Sequence, residues 1–433
     1  MAAPLLVPLL SLLLTAQSPS ASDGRGSLQE YLLKARAQRD ALLSTLRERT
    51  DAILREIDAA SVARDQVALT ALRERLVAVG PEATPLLLPR LEPGVAGNDA
   101  QKLAARVVAG ALEALQPRSF TEDLVKMAQN SSPEGRINVI RVLGSAPDNA
   151  LAASALGTLW RNGPAESRGA ALTALARMGG PLADQTIDEA FKDPRPEIVR
   201  AAVDAVVESK SVAHAPRILA IVKNPNEAGR NVDALARYYA AVPDALNEQH
   251  MLAVISFASD PAPRPEDRQR LLEALAPQAK SFTSDIKKSL RKLAEMPGAT
   301  TREAALVLLA VSGDGRAKRE VLADYDDQIQ RNPDWAQSFE ARGAALYRMQ
   351  EWKEARKDYE KALELSARDL RAKQDTAAIG IARCYMQEGK VKDAADTLRK
   401  SPVTPKQLAE LARDPLFAPM LENPKLRETL LPR

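Results

Sequence analysis

Asp193-Pro194-Arg195-Pro196-Glu197-Ile198-Val199-Arg200-Ala201-Ala202 sets the architecture of this chain. Asp ahead of Pro supplies a capping oxygen, and Pro brings a φ already suited to a first helical turn. Glu197 meets the positive end of the helix dipole. Ala201-Ala202-Val203-Asp204-Ala205-Val206 then gives a small, apolar face on which another helix can pack closely. Variants of the stretch recur as Ser132-Pro133-Glu134-Gly135-Arg136, Pro164-Ala165-Glu166-Ser167-Arg168, Asn224-Pro225-Asn226-Glu227-Ala228-Gly229-Arg230 and Pro265-Glu266-Asp267-Arg268. From Arg136 through Arg168, Arg200, Arg230 and Arg268 the steps are 32, 32, 30 and 38 residues, and Arg302 follows 34 later. That period belongs to helical-hairpin repeats. Gly80-Pro81, Gly144 and Gly179-Gly180 mark expected helix ends.

These residues resemble HEAT repeats, particularly the short bacterial type with the pattern Asp-Pro-x-Pro-Glu-Val-Arg-x-Ala-Ala, which 193–202 matches at nearly every position. The resemblance implies HEAT-like repeats over 62–318, degenerate around 232–262. Each hairpin leaves an apolar side that only a neighbour can cover.

The C-terminal third follows a different register. Counted from Ala336 as position 1, Phe339 falls at 4, Gly343 at 8, Leu346 at 11, Ala355 at 20, Tyr359 at 24 and Ala362 at 27. A second unit from Asp375 places Ala382, Tyr385, Gly389, Ala394 and Leu398 at matching positions. This is similar to the tetratricopeptide repeat, from which Arg342 and Ala367 depart where the family usually has Leu and Pro. The resemblance implies tetratricopeptide-like repeats over 319–402, and 403–433 reads as short capping helices. The expected fold class is therefore all-α: an α-solenoid, a superhelix of antiparallel helical hairpins, in which a HEAT-like array continues into a TPR-like array.

The N-terminal segments differ. Leu5 to Leu14 form an apolar run too short to cross a bilayer but long enough for a signal-peptide core, so residues 1–22 read as a leader and the chain as exported to the periplasm or cell surface. Residues 27–60 read as one amphipathic helix, with Leu28, Leu32, Ala35, Leu42, Leu46, Ile53 and Ile57 at three- and four-residue steps. It is either a coiled-coil arm or a cap on the first repeat.

Composition narrows the function. Sixty basic and fifty-seven acidic residues among 433 leave a net charge of +3, too balanced for an electrostatic nucleic-acid binder. No second stretch approaches a membrane span. His214 and His250 are the only histidines, and each reads as a surface residue in a loop or at a helix end. With the single Cys384 they cannot build a typical zinc site. Cys384 reads as a buried small hydrophobe. Asp324, Asp326 and Asp327 read as a solvated helix face, and Gly313-Asp314-Gly315 lacks the Lys and Ser/Thr of a phosphate loop. The chain is thus expected to be no enzyme and to hold no cofactor or metal.

Stacked hairpins present an inner face to a protein or peptide partner. Trp335, Tyr347, Trp352 and Arg383 are the candidate anchors, since aromatic residues and Arg are enriched at interface hot spots. Some tetratricopeptide domains clamp a peptide carboxylate with Lys and Asn at positions 5 and 9. Glu340 and Ala344 stand there, so that mode is unsupported. Three readings remain: a scaffold or adaptor of the bacterial cell envelope, an accessory or regulatory subunit of an enzyme or nucleic-acid-processing complex, and a self-associating structural component of the envelope.

Overall fold

The computed structural model describes residues 26–94, 97–296, 299–367 and 375–430. The expected leader over 1–22 lies outside them. The described residues form helices and no strand, and the chain is an all-α solenoid of helical repeats. It divides into two compact units, Met1–Ser209 and Lys210–Arg433.

The first unit holds α1 (Gly26–Ala63), α2 (Gln66–Val79), α3 (Thr84–Leu87), α4 (Asp99–Leu115), α5 (Thr121–Asn130), α6 (Pro133–Leu143), α7 (Ala150–Asn162), α8 (Ala165–Met178), α9 (Pro181–Ala190) and α10 (Pro196–Ser209). Alternate helices α2, α4, α6, α8 and α10 pack side by side as one layer. In the second layer, α5 pairs with α6, α7 with α8 and α9 with α10. Ala104, Ala105, Val108, Ala171, Leu172, Ala202 and Val206 are buried along the shared seam. Gly144 ends α6, and its importance is space: a Cβ there would lie 2.6 Å from the Cβ of Ala174 in α8. Gly179 and Gly180 do supply backbone freedom, with φ of 73° and 87° between α8 and α9.

Ion pairs cross the first layer. Arg106 pairs with Glu134, and Arg136 with Glu166 at 3.4 Å. Nearer the helix C-termini, Glu113 of α4 receives Arg141 of α6 at 2.7 Å and Arg177 of α8 at 3.6 Å. Arg177 also reaches Glu208 of α10 at 3.6 Å.

The five recurrent arginines are not equivalent. Arg136 and Arg168 each lie three residues after the first residue of their helix and turn back onto the end of the preceding helix or the loop after it. Arg136 donates to the carbonyls of Ala128 and Ser131, both at 2.9 Å, and Arg168 to that of Gly163 at 3.0 Å. Arg200 and Arg230 come four and five residues after their helix starts. Each extra residue rotates the side chain by about 100°, and both are exposed. Arg268 recovers the three-residue offset and is half-buried.

In α1 burial differs along the helix. Ile53, Leu54 and Ile57 are buried, as α1 packs on α2 and α4. Towards the N-terminus Leu32, Leu33, Leu42 and Leu43 remain exposed.

The second unit begins with α11 (Ala215–Val222), α12 (Pro225–Ala241), α13 (Glu248–Ser259), α14 (Pro265–Glu273), α15 (Ser284–Ala294), α16 (Ala299–Val311) and α17 (Gly315–Arg331). It continues through α18 (Ala336–Arg348), α19 (Trp352–Ser366), α20 (Asp375–Gln387) and α21 (Val391–Lys400). It ends in α22 (Pro405–Leu411), α23 (Ala418–Glu422) and α24 (Pro424–Leu430). From α15 to α21 each helix packs on the next. The changeover expected at 318–319 falls inside α17. Around α21, the closing segment buries Leu411, Phe417, Met420 and Leu430 against Ala382, Met386, Ala394 and Leu398.

Both histidines are buried, which corrects the surface reading. The His250 ring lies edge-on to Tyr239, whose hydroxyl is 2.9 Å from Nδ1. A loop and helix-start position implied exposure, but Tyr239 of α12 packs its ring against the imidazole. Burial, helped by the charge of Lys223, lowers the imidazole pKa below its ordinary 6.5. The unfolded chain therefore binds the proton first, and this contribution to stability is present near neutrality and lost as pH falls below about 6.5. Urea midpoints should drop between pH 7.5 and 5.5, and His250→Gln should shrink that drop. An unchanged pH dependence in the variant would remove His250 from the account.

Candidate protein-interaction site

Helices α18–α21 form two successive hairpins, and small residues set their spacing. The Tyr359 ring of α19 lies between α18 and α20. A Cβ on Gly343 would sit 3.2 Å from that ring, and one on Gly380 would sit 2.7 Å from it. Ala355, Ala362, Ala382 and Ala394 are fully buried at the helix contacts, and Gly389 turns the second hairpin with φ of 74°.

Arg342 explains its own departure from Leu. Its Nε and Nη2 donate to the two carboxylate oxygens of Asp358 in α19, both at 2.7 Å, and Nη1 donates to Asp326 in α17 at 2.8 Å. Asp358 is buried. Hydrogen bonding to Asp358, opposed by burial and assisted by Asp326, raises the guanidinium pKa above its ordinary value. An apolar contact is thus replaced by a three-helix charged clamp. Asp326 and Asp327 stand on α17, Asp327 pairing with Arg331 at 2.5 Å. No group of three or more metal-binding side chains occurs among the described residues.

Two of the four candidate anchors meet directly. The rings of Tyr347 and Trp352 have centroids 4.9 Å apart and tilt by 59°. The Tyr347 hydroxyl accepts from Gln387 Nε2 at 3.2 Å, which ties α18 to α20. Burial raises the Tyr347 phenol pKa, while Gln387 and the Arg383 charge pull it down. Arg383 Nη2 donates to Asp414 at 3.2 Å, and its side chain stays partly exposed. Trp335 stands apart: it precedes the first residue of α18, about 18 Å along the helix from Tyr347, and is 53% exposed.

Around this cluster, Arg356 lies over the Tyr385 ring at 4.8 Å, with Glu388 at 3.9 Å. Burial and the Asp375 charge raise the Glu340 carboxyl pKa. Burial pushes the Cys384 thiol up to about 12, so at neutral pH it is an inert thiol. Gln387, Asp414, Gly380 and Asp358 escaped the sequence reading. Only Asp358 left a trace: an arginine at an apolar repeat position requires a carboxylate opposite.

The fold defines a helical-repeat protein, and in these hairpins glycine and alanine set the helix spacing around Tyr359 while Arg342 clamps Asp358 and Asp326. The family model of the tetratricopeptide repeat matches residues 336–369. No curated protein matches the chain. No described helix is long and apolar enough to cross a membrane.

Proposed function

We propose that the chain is a non-catalytic protein-binding scaffold or adaptor, and that the face carrying Tyr347, Trp352, Gln387 and Arg383 engages a protein or peptide. The observation that carries this reading is the tetratricopeptide match over 336–369 beside a partly exposed aromatic–arginine cluster that spans two hairpins. Such repeats serve protein–protein contact, and aromatic and Arg anchors in a desolvated setting dominate interface energies. No nucleic acid and no cofactor is part of this reading.

The finer parts of the proposal rest on sequence. HEAT-like units over 62–318 and tetratricopeptide-like units over 319–402 follow from the motif spacing, and the Arg136 and Arg168 loop contacts support the first. The apolar run Leu5–Leu14 supports export to a bacterial periplasm or cell surface.

The test is affinity capture from an envelope extract with the wild-type chain and with Arg383→Glu. The wild type should retain one partner stoichiometrically, and the variant should lose it about tenfold or more, the loss of a central interface anchor. Equal capture by both would sink the assignment of this face. Trp335→Ala, tested alongside, reports whether its separate exposed ring contributes.

A further inference from the structure

We propose that the N-terminal half of α1 is a docking surface for an acidic amphipathic helix of another protein. At about 100° per residue, Leu32, Leu42, Leu43 and Leu46 fall in one sector about 100° wide. Leu32 is 57% exposed, Leu42 70% and Leu43 40%. Ile53 and Ile57 lie in the same sector and are buried where α1 packs on α2 and α4. The exposed stripe therefore continues an established helix-packing face past the point where this unit covers it.

Charge selects the occupant. Between residues 32 and 49 stand Lys34, Arg36, Arg39, Arg47 and Arg49 against Asp40 and Glu48, five cations to two anions. Arg36 and Arg47 flank one edge of the stripe and Arg49 the other, while Arg39, which pairs with Asp40, lies within it. Arg36, Arg47 and Arg49 have no carboxylate partner among the described residues. A second copy of this helix would set cations against cations, which opposes pairing. A helix with Leu at its core positions and Glu on the flanks satisfies both the stripe and its edges.

Fluorescence anisotropy of the full chain would compare two labelled four-heptad peptides, one flanked by Glu and one by Lys, with Leu at every core position. The Glu peptide should bind about tenfold tighter or more, given several flanking pairs. Leu32→Asp/Leu42→Asp should abolish binding while leaving circular dichroism and melting unchanged, since both side chains are exposed. Arg36→Glu/Arg47→Glu/Arg49→Glu should reverse the peptide preference. Equal affinity for the two peptides would overturn the proposal. So would peptide binding that survives Leu32→Asp/Leu42→Asp, sedimentation showing a dimer that those substitutions dissolve, or tighter binding to anionic phospholipid vesicles than to the Glu peptide.

Discussion

Arg342→Ala is expected to destabilise the second unit by about 3–5 kcal/mol, the cost of leaving a buried carboxylate without its partner. Asp358 is buried and takes both of its strong donors from this one guanidinium. Asp326 lies at the surface and can turn to water, so its loss adds little. The companion experiment replaces both charges. Arg342→Leu/Asp358→Leu restores the residue usual at position 7 and fills the space apolarly, so it should regain most of the loss. Urea unfolding in a Trp160→Phe background, followed by the fluorescence of Trp335 and Trp352, reports on this region. A single-mutant penalty below about 1 kcal/mol would mean that Asp358 finds water or another donor.

The second large effect concerns the C-terminal closure. Phe417→Ala should cost about 3–5 kcal/mol, since the ring is fully buried among Ala382, Met386, Leu398, Leu411, Met420 and Leu430. A terminal repeat without its cap leaves an apolar face wet, so the damage should spread back into α20 and α21. Hydrogen exchange should show lost protection over 375–430, with the helices of the first unit unaffected. Protection lost only within 405–430 would show that the closing helices are an appendage and not a cap.

What the sequence disclosed follows from which interactions are local. The Pro–Glu starts, the alanine faces and the Gly–Gly stop act within one helix or one turn, so the helices and their pairing were readable. Gly343, Tyr359 and Ala355 were readable because the family spacing already encodes their meeting. Offsets of a single residue were harder. Arg200 and Arg136 stand in similar motifs, yet one extra residue after the helix start turns Arg200 to solvent. The burial of His250 was not legible because the ring packed on it, Tyr239, belongs to the preceding helix. In the candidate site, the Tyr347–Trp352 contact crosses one tight turn and both residues were singled out. Gln387 and Asp414 reach the cluster from a later hairpin and from the closing segment, and no periodicity within 336–369 points to them.

Arg177 forms ion pairs with carboxylates on both sides, Glu113 two helices back in its layer and Glu208 on the next helix. Such a rung has a mechanical consequence. Opening the layer at that edge must stretch these contacts, while closing it relaxes them, so the first unit should resist flexing more in one direction than in the other. Because the groups are partly hydrated and each pair is worth only about 0–1 kcal/mol, the stiffness should yield gradually under load and soften as ionic strength rises.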